Sequence, residues 1–258
     1  MRLAFSTLGL PGYPLSEALR LADRHGWEGL ELRCAPGESI HPTLDPDQRR
    51  SFARDLEHAG IVPLCLAGYV GVAEPGDDAA VVGRLREELQ LAADLGAAHL
   101  RVFPRGGDTP APEVDARAAR RLTAAAETAE RVGVRLVVET HDSHRGGAEV
   151  ARLLALVDHP AVGAIWDLLH TCLAGETPHQ TRTALGSRLA YTQVKDVASH
   201  HDLTPLPLGT GVLPIADCVG ELDTDAWVSW EYEAPWYPQA APLPGLLGPG
   251  SEYLRPLR

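Results

Sequence analysis

Lysine is all but missing from this 258-residue chain: of its 23 basic side chains, Lys195 alone is not an arginine. Arginine cannot stand in for a compact ammonium on a slender stem, so the position of that one lysine is informative. Basic charge as a whole is also short. Against 35 acidic residues the formal balance is -12, which counts against a nucleic-acid partner, because a duplex binder gains affinity by neutralising phosphates with clustered Lys and Arg. Long apolar runs are absent. No stretch approaches the roughly 18 residues of a membrane helix. Ser6, Thr7 and Pro11 interrupt the first segment too early for a signal peptide, so the expected setting is cytoplasmic with no membrane partner. Cysteine is scattered: Cys34, Cys65, Cys172 and Cys218 form no C-x-x-C pair, which excludes a zinc ribbon and a thioredoxin-like motif and leaves reduced, buried thiols as the expectation.

What is present, 45% hydrophobic and 22% charged residues, is the composition of an ordinary globular protein. Eight short apolar runs recur along it: Leu3–Thr7, Gly29–Leu32, Ile61–Ala67, Ala98–Phe103, Arg135–Glu139, Val162–Trp166, Ala190–Val194 and Trp227–Tyr232. Amphipathic stretches lie between them at Leu15–His25, Asp45–Ala59, Ala79–Leu95, Val114–Val132 and Gly146–Val157. In the third of these Val81, Leu85, Leu89 and Ala92 fall on one helical stripe. Gly60, Gly96 and Gly133 each follow such a stretch, where a left-handed helix end favours glycine. Strands alternating with helices predict a parallel sheet, and eight such units in about 250 residues predict one (β/α)8 TIM barrel over residues 1–258. A doubly wound open sheet would carry a glycine-rich phosphate turn after its first strand, and Gly9-Leu10-Pro11-Gly12 matches it poorly. The segment 233–258 is rich in proline and glycine and predicts an irregular tail, with the eighth helix degenerate.

In such barrels the carboxyl ends of the strands build the active site. Those ends read VVETHD, IWDLLHT, TQVKD and SWEYE for the fifth to eighth strands. Alternation sorts their side chains. In the eighth run Val228, Trp230 and Tyr232 form an outward apolar face, which aims Ser229, Glu231 and Glu233 at the barrel axis. The same parity turns Val137, Glu139 and His141 inward, and likewise Gln193 and Lys195, while Asp167 ends the sixth strand and His170 follows one helical turn later.

Glu139, Asp167, Gln193 and Glu231 thus converge from four consecutive strands. A carboxylate taken singly reads as a solvated strand-end group or an arginine partner. Three converging carboxylates need an opposing charge, and oxygen donors suit one divalent cation, manganese first, with magnesium or zinc as alternatives. His141, His170 and Lys195 are the candidate substrate-binding side chains. Glu31, Arg33 and Arg101 share the inward parity and read as a structural ion-pair network across the lumen.

With these motifs in this order, the chain resembles the xylose isomerase-like superfamily of sugar isomerases and epimerases. The resemblance implies that Glu139, Asp167, Gln193 and Glu231 bind one divalent metal. Gln193, where a histidine is commoner, and the later PLPLGTG stretch are similar to hydroxypyruvate isomerases. It implies catalysis by proton shuttling between Glu139 and Glu231 through a metal-bound enediolate of a small sugar or hydroxy-keto compound, with His170 and Lys195 orienting substrate oxygens. It is compatible with a homo-oligomer. Three other readings stand beside it: a dehydratase of the inosose or dehydroshikimate type on the same scaffold, a barrel that binds metal or ligand without turnover, and a relative of the abasic-site endonucleases. The last needs extra histidines that LCLAGYVG and RVFPRGG lack.

Overall fold

The computed structural model describes residues 1–109 and 111–257. Eight parallel strands close into a barrel in sequence order: β1 (Arg2–Ser6), β2 (Gly29–Arg33), β3 (Val62–Gly71), β4 (His99–Phe103), β5 (Arg135–Glu139), β6 (Val162–Asp167), β7 (Leu189–Val194) and β8 (Trp227–Trp230). The expected TIM barrel is therefore the fold. Closure comes from β1 pairing β8, with Leu3 opposite Val228 and Phe5 opposite Trp230.

The five expected helices are α1 (Leu15–His25), α2 (Pro46–Ala59), α3 (Asp78–Asp94), α4 (Ala111–Val132) and α5 (Gly147–Val157). Asp45 caps α2 by accepting from the backbone N–H groups of Asp47 and Gln48, while Gln48 answers at the Asp45 N–H, so two otherwise orphaned donors are satisfied. Val81, Leu85, Leu89 and Ala92 all lie buried on the barrel side of α3. Four short helices follow: α6 (Leu168–Leu173), α7 (Pro178–Leu185), α8 (Ile215–Gly220) and α9 (Leu247–Leu254). None of the described helices is long and apolar enough to cross a membrane.

Two strand ends differ from the sequence expectation. β3 runs on to Gly71, and its pairing with β4 slips between Ala67 and Gly71, so the last residues of β3 bulge toward the mouth. β8 stops at Trp230, and Glu231 follows as irregular backbone although its N–H still donates to the Val194 carbonyl at 3.0 Å. The tail after Glu233 is irregular apart from short 3₁₀ turns and α9, and α9 docks where Trp27 Nε1 donates to the Leu247 carbonyl at 3.1 Å. Arg258, the last residue of that expected tail, lies outside the described residues.

Polarity grades along the barrel axis. The main core lies between strands and helices and takes the outward residues Leu136, Val138, Val194, Val228, Trp230 and Tyr232. A separate apolar cluster of Ala4, Leu64, Cys65, Val137, Ile165 and Tyr191 fills the lower lumen. Above it the inward positions become Glu31, Gln193, Arg101, Glu139 and Glu231, all buried. This floor excludes water from beneath the charged layer and makes each polar contact there stronger.

Candidate active site at the barrel mouth

Glu139 and Asp167 end β5 and β6, Gln193 lies in β7, and Glu231 follows β8. Glu139, Asp167 and Glu231 each offer a carboxylate oxygen, and these atoms lie within 4.8 Å of one another. Asp167 is held from two sides. Its Oδ1 accepts the N–H groups of Leu169 at 2.8 Å and His170 at 3.3 Å, capping α6, and its Oδ2 faces Lys195 Nζ at 2.8 Å. Gln193 donates through Nε2 to Glu31 at 2.9 Å, and that orientation leaves its buried Oε1 with no partner. Tyr191 also donates to Glu31, at 2.9 Å. Burial and the nearby Glu231 charge raise the pKa of Glu31, so this deeper carboxyl favours its neutral form.

Two cations knit the ring together. Lys195 Nζ reaches Glu231 at 2.5 Å and Glu233 at 2.6 Å as well as Asp167. Arg101 Nη1 bridges Glu139 at 3.2 Å and Glu231 at 3.1 Å, and its Nε and Nη2 both donate to the Gly68 carbonyl at 3.3 Å. Burial raises Glu139 to about 8, against the pull of Arg101. At Glu231 burial acts in the same sense, but Lys195 and Arg101 outweigh it and hold the carboxyl down at about 2. The two glutamates that face each other across the mouth therefore differ in proton affinity, the arrangement by which one site supplies both an acid and a base.

His141 and His170 stack on each other with ring centroids 4.0 Å apart, and Phe103 lies 4.7 Å from His141. With Glu139 they form a second set of possible metal ligands. Burial opposes protonation of His141, but Asp142 at 2.9 Å and Glu139 outweigh it and raise its pKa. His170 is driven the other way by burial and by the charges of His141 and Lys195, and neither of its ring nitrogens has a hydrogen-bond partner. It is a neutral imidazole with unused donor and acceptor capacity.

A cavity of about 180 Å³ opens on this layer, lined among others by Tyr69, Arg101, Phe103, Glu139, Glu231 and Trp236. Of the residues expected from sequence, Glu139, Glu231 and His141 line it. Asp167, Gln193, His170 and Lys195 do not, and Lys195 is engaged with carboxylates rather than presented to the cavity. Arg101 was readable only as a lumenal ion pair; the pairing exists, but its partners are the site's own glutamates. Arg33 leaves the lumen instead, bonding Glu38 at 2.7 Å and Tyr69 at 3.0 Å under the ring of Trp236. Tyr69, Arg105 and Trp236 come from the β3 bulge, the β4 loop and the tail. Their inward parity on a strand could not be read, because none stands on a regular alternating segment facing the site.

The loop after β7 is organised from below. Asp196 is buried, and its Oδ2 accepts the N–H groups of Gly209 at 2.9 Å and Gly211 at 2.8 Å, while Oδ1 takes those of Val197 at 3.1 Å and Leu213 at 3.2 Å. A Cβ at Gly211 would fall 2.2 Å from Asp196 Oδ1, which accounts for glycine in the PLPLGTG stretch. Lys195 is thereby followed by an anchor that fixes the strand end carrying it.

Residues 19–257 match the family model described as xylose isomerase-like TIM barrel, and the chain belongs to that family. Its structure is similar to that of the probable 3-DHS dehydratase AsbF from Bacillus anthracis, with a TM-score of 0.84, 18% identity and 98% of each chain covered. It is also similar to the IolI protein with a bound zinc atom, with a TM-score of 0.80 and 17% identity over 98% of this chain and 96% of that one. D-Psicose 3-epimerase from Clostridium cellulolyticum H10, solved with D-tagatose, superposes with a TM-score of 0.78 and 16% identity, covering 99% of this chain and 90% of the other. At such identities the likeness speaks for the fold. A search of curated proteins by sequence finds no match.

Proposed function

We propose that this chain is a divalent-metal-dependent isomerase or epimerase of a small sugar or hydroxy-keto compound. The observation that carries the reading is the donor set: three carboxylates from the ends of β5, β6 and β8 with ligand atoms within 4.8 Å, beside a buried Gln193 Oε1 on β7 that nothing else uses. An unspent buried acceptor is costly and calls for a ligand. Glu139, Asp167, Gln193 and Glu231 would hold the ion, and an all-oxygen set of this kind favours manganese or magnesium, with zinc the alternative if His141 or His170 joins. When bound, the metal would polarise a substrate carbonyl and lower the cost of forming an enediolate.

The chain's own groups then move the proton. Glu139 ends β5 and Glu231 follows β8, and one takes the carbon-bound proton while the other returns it. Lys195 would exchange one of its carboxylate partners for a substrate oxygen that gains negative charge, and neutral His170 would hydrogen-bond a hydroxyl. Phe103, Tyr69 and Trp236 line the mouth with aromatic surface. Replacing Glu139 by Gln should lower solvent deuterium incorporation into a turned-over ketose by about 10²- to 10⁴-fold. Unchanged exchange would refute the assignment of Glu139.

A second reading, a dehydratase on the same scaffold, is favoured by one observation. A leaving hydroxyl carries negative charge away, and the Arg101 guanidinium lines the cavity where that charge would develop. The structural likeness to a probable dehydratase agrees with it. Ultraviolet absorbance of an enone or aromatic product would separate this reaction from isomerisation, which gives none.

A further inference from the structure

Glu88 occupies a place that an amphipathic helix ordinarily gives to an apolar residue. It lies on the inward stripe of α3 with Val81, Leu85 and Leu89, is 9% exposed, and its Oε2 has no hydrogen-bond partner. It packs against the bulged end of β3, where a Cβ on Gly68 would come within 2.3 Å of Oε2. A buried carboxylate without a partner is expensive and requires an explanation.

The surroundings supply one. Glu88 lines a cavity of about 560 Å³ between α3 and the loop after β2, walled by Cys34, Pro36, Pro42, Val70 and Leu91. Two arginines also line it, and both are already paired: Arg33 with Glu38 at 2.7 Å and Arg84 with Glu74 at 3.0 Å. Glu87, exposed at the rim, and Glu88 take part in no salt bridge among the described residues, so the cavity has an apolar body and a carboxyl that neither arginine pairs.

We propose that this cavity is a binding site for a small organic ammonium ion with an apolar body, held by Glu88 and by the Pro36, Pro42, Val70 and Leu91 wall. The site is separate from the ring of carboxylates at the barrel mouth, and Tyr69 alone lines both cavities. The ligand is recognised by two features together. The ammonium pairs with the part of the Glu88 carboxyl that lines the cavity, and the apolar portion covers the Pro36, Pro42, Val70 and Leu91 wall. Raised by burial to about 7, the Glu88 carboxyl would be drawn toward its ionised form by the bound cation.

Titration of the full chain with benzylammonium chloride, followed by calorimetry or amide chemical shifts, tests the proposal, with benzyl alcohol as the neutral comparison. Benzylammonium should bind with one site and a Kd on the order of 1 mM, and benzyl alcohol at least about tenfold more weakly. Glu88→Gln should abolish the difference between the two probes. Pro42→Trp, a substitution on the exposed rim, should weaken both. Equal binding of the two probes by the unaltered chain, a preference that survives Glu88→Gln, or no binding of either would overturn the proposal. Metal content and turnover play no part in these readouts, so their outcome is independent of the function proposed for the barrel mouth.

Discussion

The ammonium of Lys195 stands among Asp167, Glu231 and Glu233 and is 3% exposed, and this is where the chain keeps its one lysine. A guanidinium is too broad a fork for three carboxylates gathered from the end of β6 and the segment after β8. Lys195→Gln should therefore cost about 3–5 kcal/mol, the penalty for leaving buried charges without their partner, measured by denaturant unfolding without added metal. Added manganese should recover part of that loss, since an ion supplies the missing charge to the same carboxylates. At Glu88 the sign is opposite. Its pKa in the folded protein is raised to about 7, so stability from the neutral carboxyl is fully present below the unfolded pKa and is lost as pH rises through 7. Glu88→Gln should match the unaltered chain near pH 4 and exceed it by about 3 kcal/mol at pH 8, measured by unfolding at the two pH values. Equal stability differences at both would contradict the burial argument. The inward carboxylates were legible as residues because strand alternation is a local rule. The second role of Arg101 was not, since the identity of its partners depends on which strands close across the lumen.

The strands and the long helices were the most legible elements. Apolar runs of β4, β5 and β6 coincide with the observed strands within a residue or two, and the α3 stripe is buried as its spacing predicts. Short helices were harder because six or eight residues hold too few turns for periodicity to register. Their caps carried a signal nonetheless: Thr177 and Gln180 form a capping box at the start of α7, with Pro178 as its first residue. The loop between β7 and α8 is set by Asp196, whose four backbone partners span seventeen residues of chain, a dependence no local pattern announces. Asp196→Ala should destabilise the protein by about 3 kcal/mol and release amide protection at Gly209 and Gly211, measured by unfolding and by hydrogen exchange. Protection left intact at those two residues would show that the loop holds itself.

At the scale of the whole molecule, the barrel divides its work by height. An apolar floor seals the lumen, a buried polar layer of Glu31, Tyr191 and Gln193 sits upon it, and the charged ring opens to the mouth. That ordering follows from parity and from the rule that barrel chemistry sits at the carboxyl ends of strands, so the place of the site was open to a reading of sequence. The lining of the mouth was not, because the β3 bulge, the β4 loop and the tail reach it only through long-range packing. Glu139, Asp167, Gln193 and Glu231 are proposed to bind one divalent ion together. The most direct test is the metal content of purified protein after exchange into manganese, compared with the Glu139→Ala, Glu231→Ala double variant checked for folding by circular dichroism. About one ion per chain is expected in the first and none in the second. No bound ion in the unaltered chain, or the same content in both, would contradict the proposal.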